Sequence, residues 1–162
     1  MNYPIISLII RASKNNFPNV NELSNDVCTI INGKFHYQVK KQVIDGALWW
    51  MADYAGKGVN CSFKSKLAIE KITRGDMNGF VHEHIIPKKL IREKLMALSG
   101  HATIEQVEKL LCLSTYCLVT KEEDIRLTKK HKQVMPNNCW MNDNASPAEI
   151  WGRYSAERIE VT

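Results

Sequence analysis

No Cys-x-x-Cys pair occurs among the five cysteines, Cys28, Cys61, Cys112, Cys117 and Cys139, and their number is odd. That pattern argues against a disulfide framework, and cysteine-held zinc lacks a recognised spacing. The expected setting is reducing and cytoplasmic. Cys112 and Cys117 lie in apolar surroundings and read as small core residues. Long hydrophobic runs are missing too. The apolar run Ile5 to Ile10 is far too short to span a bilayer and has no basic region before it. It reads as a strand or buried segment, and no membrane partner is expected. The chain has no Gly-rich phosphate loop and no Ser nucleophile elbow. His82 and Glu83 open a would-be His-Glu-x-x-His zinc motif, but Ile86 stands where the second His belongs. There is no internal repeat and no low-complexity segment.

What is present is an ordinary globular composition, 44% hydrophobic and 24% charged over 162 residues, enough for one domain with a real core. The net charge of +5 is a mild basic excess, which permits a polyanionic partner without demanding one.

The pattern of elements is mixed. Residues 11–34 are polar and punctuated by Asn, Pro and Gly, and predict turns and short elements. Phe35 to Ala55 predicts a long helix: Val39, Val43, Ala47, Trp50 and Tyr54 recur at helical spacing, and Gly56 and Gly58 end it. That wide stripe is a core-packing face. A short helix is expected over Ser65 to Ile72 and a strand over Phe80 to Ile86. Pro87 suits a helix start, because its missing N–H is not needed there. The helix that follows carries Leu90, Ile91, Leu95 and Leu98 and stops at Gly100. Thr103 and Gln106 form a capping box for another helix, and Thr115 to Val119 is a short strand. Thr120 and Glu123 form a second capping box, opening a helix at about Lys121. A last short helix spans about Pro147 to Arg158, with Ile150, Trp151 and Tyr154 facing inward.

Chemistry concentrates in the stretch FVHEHIIPK, residues 80–88. A carboxylate at the end of one strand and an acid on a later helix can converge on one divalent cation, and a histidine beside the first carboxylate can take a proton from water. Phosphodiester hydrolysis needs those parts: a cation to offset the charge developing on the leaving oxygen, and an imidazole that titrates near neutrality to activate water.

VHEHIIPKK resembles the first half of an HNH endonuclease motif, and TYCLVTKEEDIRL resembles its second half, a strand entering the metal-binding helix. The likeness is to the ββα-metal nucleases, especially small HNH-like proteins of bacteria and phages. It covers roughly residues 65–155, and the tail segments VMP and WGRY fit it. The resemblance implies that Glu83 is the strand metal ligand, that His84 is the general base, and that Asp124 stands where a helix His or Asn ligand is usual. Two carboxylates suit Mg²⁺ or Mn²⁺. The middle Asn of the motif has no match, Ser114 or Thr115 occupying that region, and the zinc-binding cysteine pairs of many HNH proteins are absent.

Strand alternation puts His82 on the face of His84, where it is a supporting catalytic candidate or simply solvent-facing. The same alternation points Glu83 the other way unless the strand twists or breaks at its end. Glu122, Glu123 and Asp124 also stabilise a helix N-terminus, Glu123 as the cap partner, and Glu122 or Glu123 is a substitute for Asp124 as metal ligand. Lys88, Lys89, Arg126, Lys129 and Lys130 are expected to contact a nucleic-acid backbone. The expectation is therefore an α+β, predominantly helical single domain over 1–162, built round a ββα-metal motif. Its 1–64 part is mostly helical, and its 65–155 part is HNH-like with a helical insertion at about 88–113. The implied function is a metal-dependent DNA endonuclease. The alternative is a catalytically degenerate HNH-like protein, of phage or mobile-element type, that binds nucleic acid or binds and inhibits a protein partner.

Overall fold

The computed structural model describes residues 19–56, 58–136, 139–140 and 146–162. The expected segment Ile5 to Ile10 lies outside them. Among the described residues the chain is α+β and predominantly helical, with one three-stranded sheet. The described residues form two compact units, one drawn from 19–55 and 88–115 and the other from 56–87 and 116–162. The segment expected as a helical insertion at 88–113 thus shares a unit with the N-terminal helices.

The first unit contains α1 (Val20–Asn32), α2 (Tyr37–Tyr54), α4 (Lys88–Ala97) and α5 (Ile104–Leu111). Helix α1 corrects the expectation of turns over 11–34. Its Asn and Ser residues resemble turn formers, but Ser24, Val27, Cys28 and Ile31 are all buried at helical spacing, and Asn19 with Glu22 closes a capping box. The pairs α1 with α5 and α2 with α4 make the main contacts, burying Val27, Ile31, Leu48, Ile91, Leu95 and Leu111 completely. Burial pushes the Cys112 thiol up to about 12. Polar staples close this unit. The buried Lys40 donates from Nζ to the Ile31 carbonyl at 2.5 Å and to Ser99 Oγ at 2.8 Å. The Asn32 amide bonds both the N–H and the carbonyl of Ala102, and Arg92 pairs with Asp45 at 2.7 Å.

The second unit holds β1 (Phe63–Lys64), α3 (Lys66–Thr73), β2 (Phe80–His84), β3 (Tyr116–Thr120), α6 (Lys121–His131), α7 (Pro147–Ile150) and α8 (Gly152–Ala156). The sheet order is β1-β3-β2, with β1 parallel and β2 antiparallel to the central strand. All five residues of β3 are buried, so the run YCLVT is apolar apart from its last position. The two-residue strand β1 carries no periodicity that a sequence reading could detect. The strand expected over Phe80 to Ile86 ends at His84, and Ile85 and Ile86 leave it fully buried. The C-terminus returns to β1 through Lys64 and Thr162, which exchange backbone hydrogen bonds.

The second capping box forms as expected and does more than cap. Glu123 accepts from the Thr120 N–H at 2.9 Å and also from Ser65 Oγ at 2.5 Å, while Ser65 caps α3. One buried carboxylate therefore ties two helix N-termini together. Removing one partner of a buried hydrogen bond leaves the others unsatisfied and costs about 1–3 kcal/mol. Glu123→Ala is expected to destabilise the protein by about 2–3 kcal/mol in urea unfolding. The exposed neighbour Glu122→Ala should cost below about 0.5 kcal/mol. Equal costs for the two substitutions would remove this role from Glu123.

Candidate functional site

Strand β2 keeps its register to its last residue: Glu83 lies opposite Cys117 and His84 opposite Tyr116. Regular pleating therefore holds, and the twist or break that would bring Glu83 to the face of His84 is not seen. His82 and His84 share one face, and both rings approach the Tyr116 ring, with centroid separations of 5.7 and 4.6 Å. His82 Nε2 accepts a hydrogen bond from the Gly58 N–H at 2.6 Å, so in the neutral ring its proton sits on Nδ1. Gly58, at φ 62°, occupies the left-handed region that glycine tolerates, so a loop held in that conformation presents its N–H to His82. His82 thus anchors that loop. The Nδ1 atom of His84 is buried.

Glu83 leaves on the other face. Its side chain is 18% exposed, and its Oε1 accepts from Arg153 Nη2 at 2.5 Å. Arg153, on α8, is completely buried and also donates from Nη1 to the His84 carbonyl at 2.8 Å. Its Nε is buried without a hydrogen-bond partner among the described residues. The neighbouring Tyr154 hydroxyl reaches the Glu83 carbonyl at 3.5 Å and bonds Cys117, and burial raises both the Tyr154 hydroxyl and the Cys117 thiol well above their ordinary values. Sequence reasoning included Arg153 only within WGRY and assigned it no role. A charged residue between Trp151 and Tyr154 on a short amphipathic segment was the available signal.

Asp124 acts on Glu83 only as the smallest of four influences on its carboxyl. Burial raises the Glu83 carboxyl above its ordinary value, and the charge of Asp124 raises it further, while Arg153 pulls it back by charge and hydrogen bond. Glu123 does not join them, because its carboxylate is bonded to Thr120 and Ser65. Among the described residues no group of three or more His, Cys, Asp or Glu side chains converges. A cation at this place would be held by the Glu83–Asp124 pair. Both are hard carboxylates, but the Glu83 oxygen is already held by the guanidinium of Arg153, and no third ligand joins the pair among the described residues.

The basic residues divide. Lys88 and Lys89 belong to the helical unit, where Lys89 approaches Glu93 at 3.7 Å. On α6, Arg126 donates to the Glu157 carbonyl and Lys130 pairs with the Glu157 carboxylate at 3.2 Å, so both are committed to α8's C-terminal end. Lys129 is exposed.

Compared with protein-family models, curated proteins and solved structures, the chain gives no match.

The sign of the Glu83 shift has a measurable consequence. A carboxyl that protonates more readily folded than unfolded contributes stability that is present below 4.5 and lost as pH rises through its raised folded value. Carboxyl-carbon NMR of the folded protein should place the Glu83 midpoint above 4.5. A midpoint at or below that value would mean that Arg153, rather than burial, dominates the environment of this carboxyl.

Proposed function

We propose that this chain is a metal-dependent endonuclease of HNH-like type, hydrolysing phosphodiester bonds in DNA. The observation that supports the reading is the succession of β2, antiparallel β3 and α6, with Glu83 next to last in the first strand and Asp124 in the first turn of the helix. That ββα succession joins the motif-bearing segments 80–88 and 115–127, which are remote in sequence. Glu83 and Asp124 would hold Mg²⁺ or Mn²⁺, and the ion when bound would stabilise charge on the leaving oxygen. His84 is the last residue of its strand, so its imidazole meets a water only around the strand's end. With Nδ1 buried, the proton is taken at Nε2. Arg153 fixes the backbone of His84 through its carbonyl, which sets where the imidazole starts. Lys129, exposed on α6, would be available to a phosphate.

A second reading is favoured by one specific observation. The Glu83 carboxylate is already held by a fully buried arginine, as in a scaffold that has kept the fold and lost the ion. In that case the protein binds nucleic acid, or a protein partner, without cutting.

Supercoiled plasmid separates the two. With Mg²⁺ or Mn²⁺ the protein should nick DNA, and His84→Ala, with its circular dichroism unchanged, should lose at least about a hundredfold in rate. Binding of the plasmid without nicking under any divalent cation would establish the second reading.

A further inference from the structure

The helical unit holds a cation that no acid of its own answers. Lys40 is 8% exposed, and its Nζ donates to two neutral oxygens, the Ile31 carbonyl at 2.5 Å and Ser99 Oγ at 2.8 Å. Ser99 in turn donates to the same carbonyl at 3.0 Å. Among the described residues no Asp or Glu pairs with Lys40, and Asp45 of the same helix is held by Arg92 and Lys41. Ile31 lies in the last turn of α1, which has no basic residue of its own there. A helix C-terminus is equivalent to about half a negative charge, so it offsets about half of the ammonium. An ammonium also has three donors, and two are used here. A buried charge in that state favours an anion beside it.

Lys40 and Ser99 line a pocket of about 480 Å³ between the start of α2 and the end of α4. That volume is ordinary for a small-molecule site. Its other walls include the rings of Phe35 and Tyr37 and the thioether of Met96. Gly33 seats the Phe35 ring, since a Cβ at that position would come within 2.5 Å of ring atom Cε2. Glu93 adds one carboxylate to the lining, half-exposed and 3.7 Å from Lys89.

We propose that this pocket binds an organic monocarboxylate with an aromatic body, the carboxylate taking the third N–H of Lys40 and the ring lying among Phe35, Tyr37 and Met96. A carboxylate on a buried ammonium makes a charge-assisted hydrogen bond, and aromatic and thioether walls suit a flat apolar ring. Glu93 argues against a dianion such as phosphate, whose second charge would meet a carboxylate and no further cation. The site is formed wholly by the helical unit and is independent of the endonuclease reading. A lysine that only closes the end of α1 would stabilise the fold and show no choice between an acid and its neutral amide.

The test uses the full chain and two probes of one shape, 2-naphthoate and 2-naphthamide, titrated while backbone N–H signals are followed by ¹H–¹⁵N NMR. Naphthoate should move the signals of residues 35–40 and 93–99 with a Kd below about 1 mM, and naphthamide should bind at least about tenfold more weakly. Lys40→Met should bring the two probes to equal affinity. If Lys40→Met does not fold, Glu93→Gln carries the test, because the side chain it replaces is half-exposed and of the same shape. It should bind naphthoate at least about twofold more tightly and leave naphthamide unchanged. Inorganic phosphate alone should leave the same signals in place. No binding of naphthoate, equal binding of the two probes by the unmodified protein, a Lys40→Met that still prefers naphthoate, a Glu93→Gln that binds it no more tightly, or phosphate bound as tightly as naphthoate overturns the proposal.

Discussion

The contact between the Arg153 guanidinium and the end of β2 governs how the sheet-bearing unit is held. Among the described residues β2 pairs with one strand only, β3, so one of its edges lacks a ladder. Its C-terminal end is fixed from the side instead, by two hydrogen bonds from Arg153 and one from Tyr154. Breaking a buried ion pair by removing one partner typically costs about 3–5 kcal/mol, because the remaining charge is left uncompensated. The fold therefore tolerates a buried arginine only as long as Glu83 stays opposite it, and that requirement makes a site carboxylate into a structural one.

The strand's regular pleat imposes a division of labour. One face of β2 presents His82 and His84 to Tyr116, and the other presents Glu83 to Arg153 with Cys117 opposite. The histidine face is aromatic and also anchors a glycine loop. The glutamate face is buried and carries paired charge. Ionisable residues that lie side by side in the sequence are thus kept in different surroundings.

Local signals were the most legible part of the sequence. Both Thr-containing capping boxes form at the expected residues, because a cap is a contact within four positions and needs no knowledge of the tertiary fold. The extents of the long helix and of the FVHEH strand were legible through their periodicity, but the helix's core face was misplaced: Val39 and Trp50 are exposed, and Ile44, Leu48, Met51 and Ala52 are buried with Ala47. Helix α1 was hidden by Asn and Ser residues that favour turns locally and are overruled here by the burial of Val27 and Ile31. Strand β1 is two residues long and exists only through its pairing with β3. At the candidate site, the sequence identified the ionisable groups but not their partners. Whether Glu83 faces a cation, a solvent channel or an arginine is decided by α8, some seventy positions away. The commitment of Glu123 to Ser65 is equally non-local.

The chain order of the sheet carries a kinetic consequence. The residues that pair in β2 and β3 are separated by roughly thirty to forty positions, and the intervening stretch includes two helices of the other unit. The antiparallel ladder cannot zip from a tight turn. It waits for a large loop to close, and the glutamate–arginine pair waits longer still, for residues near the end of the chain. On a ribosome, β2 would emerge with its histidines and glutamate already made and spend seconds without its partner strand, since synthesis proceeds at about 5–20 residues per second. High contact order of this kind slows barrier crossing and makes the unpaired strand available to other chains in the interval. The charged middle of FVHEH is a natural safeguard for that interval, since a strand that carries His-Glu-His is a poor template for aggregation until its arginine arrives.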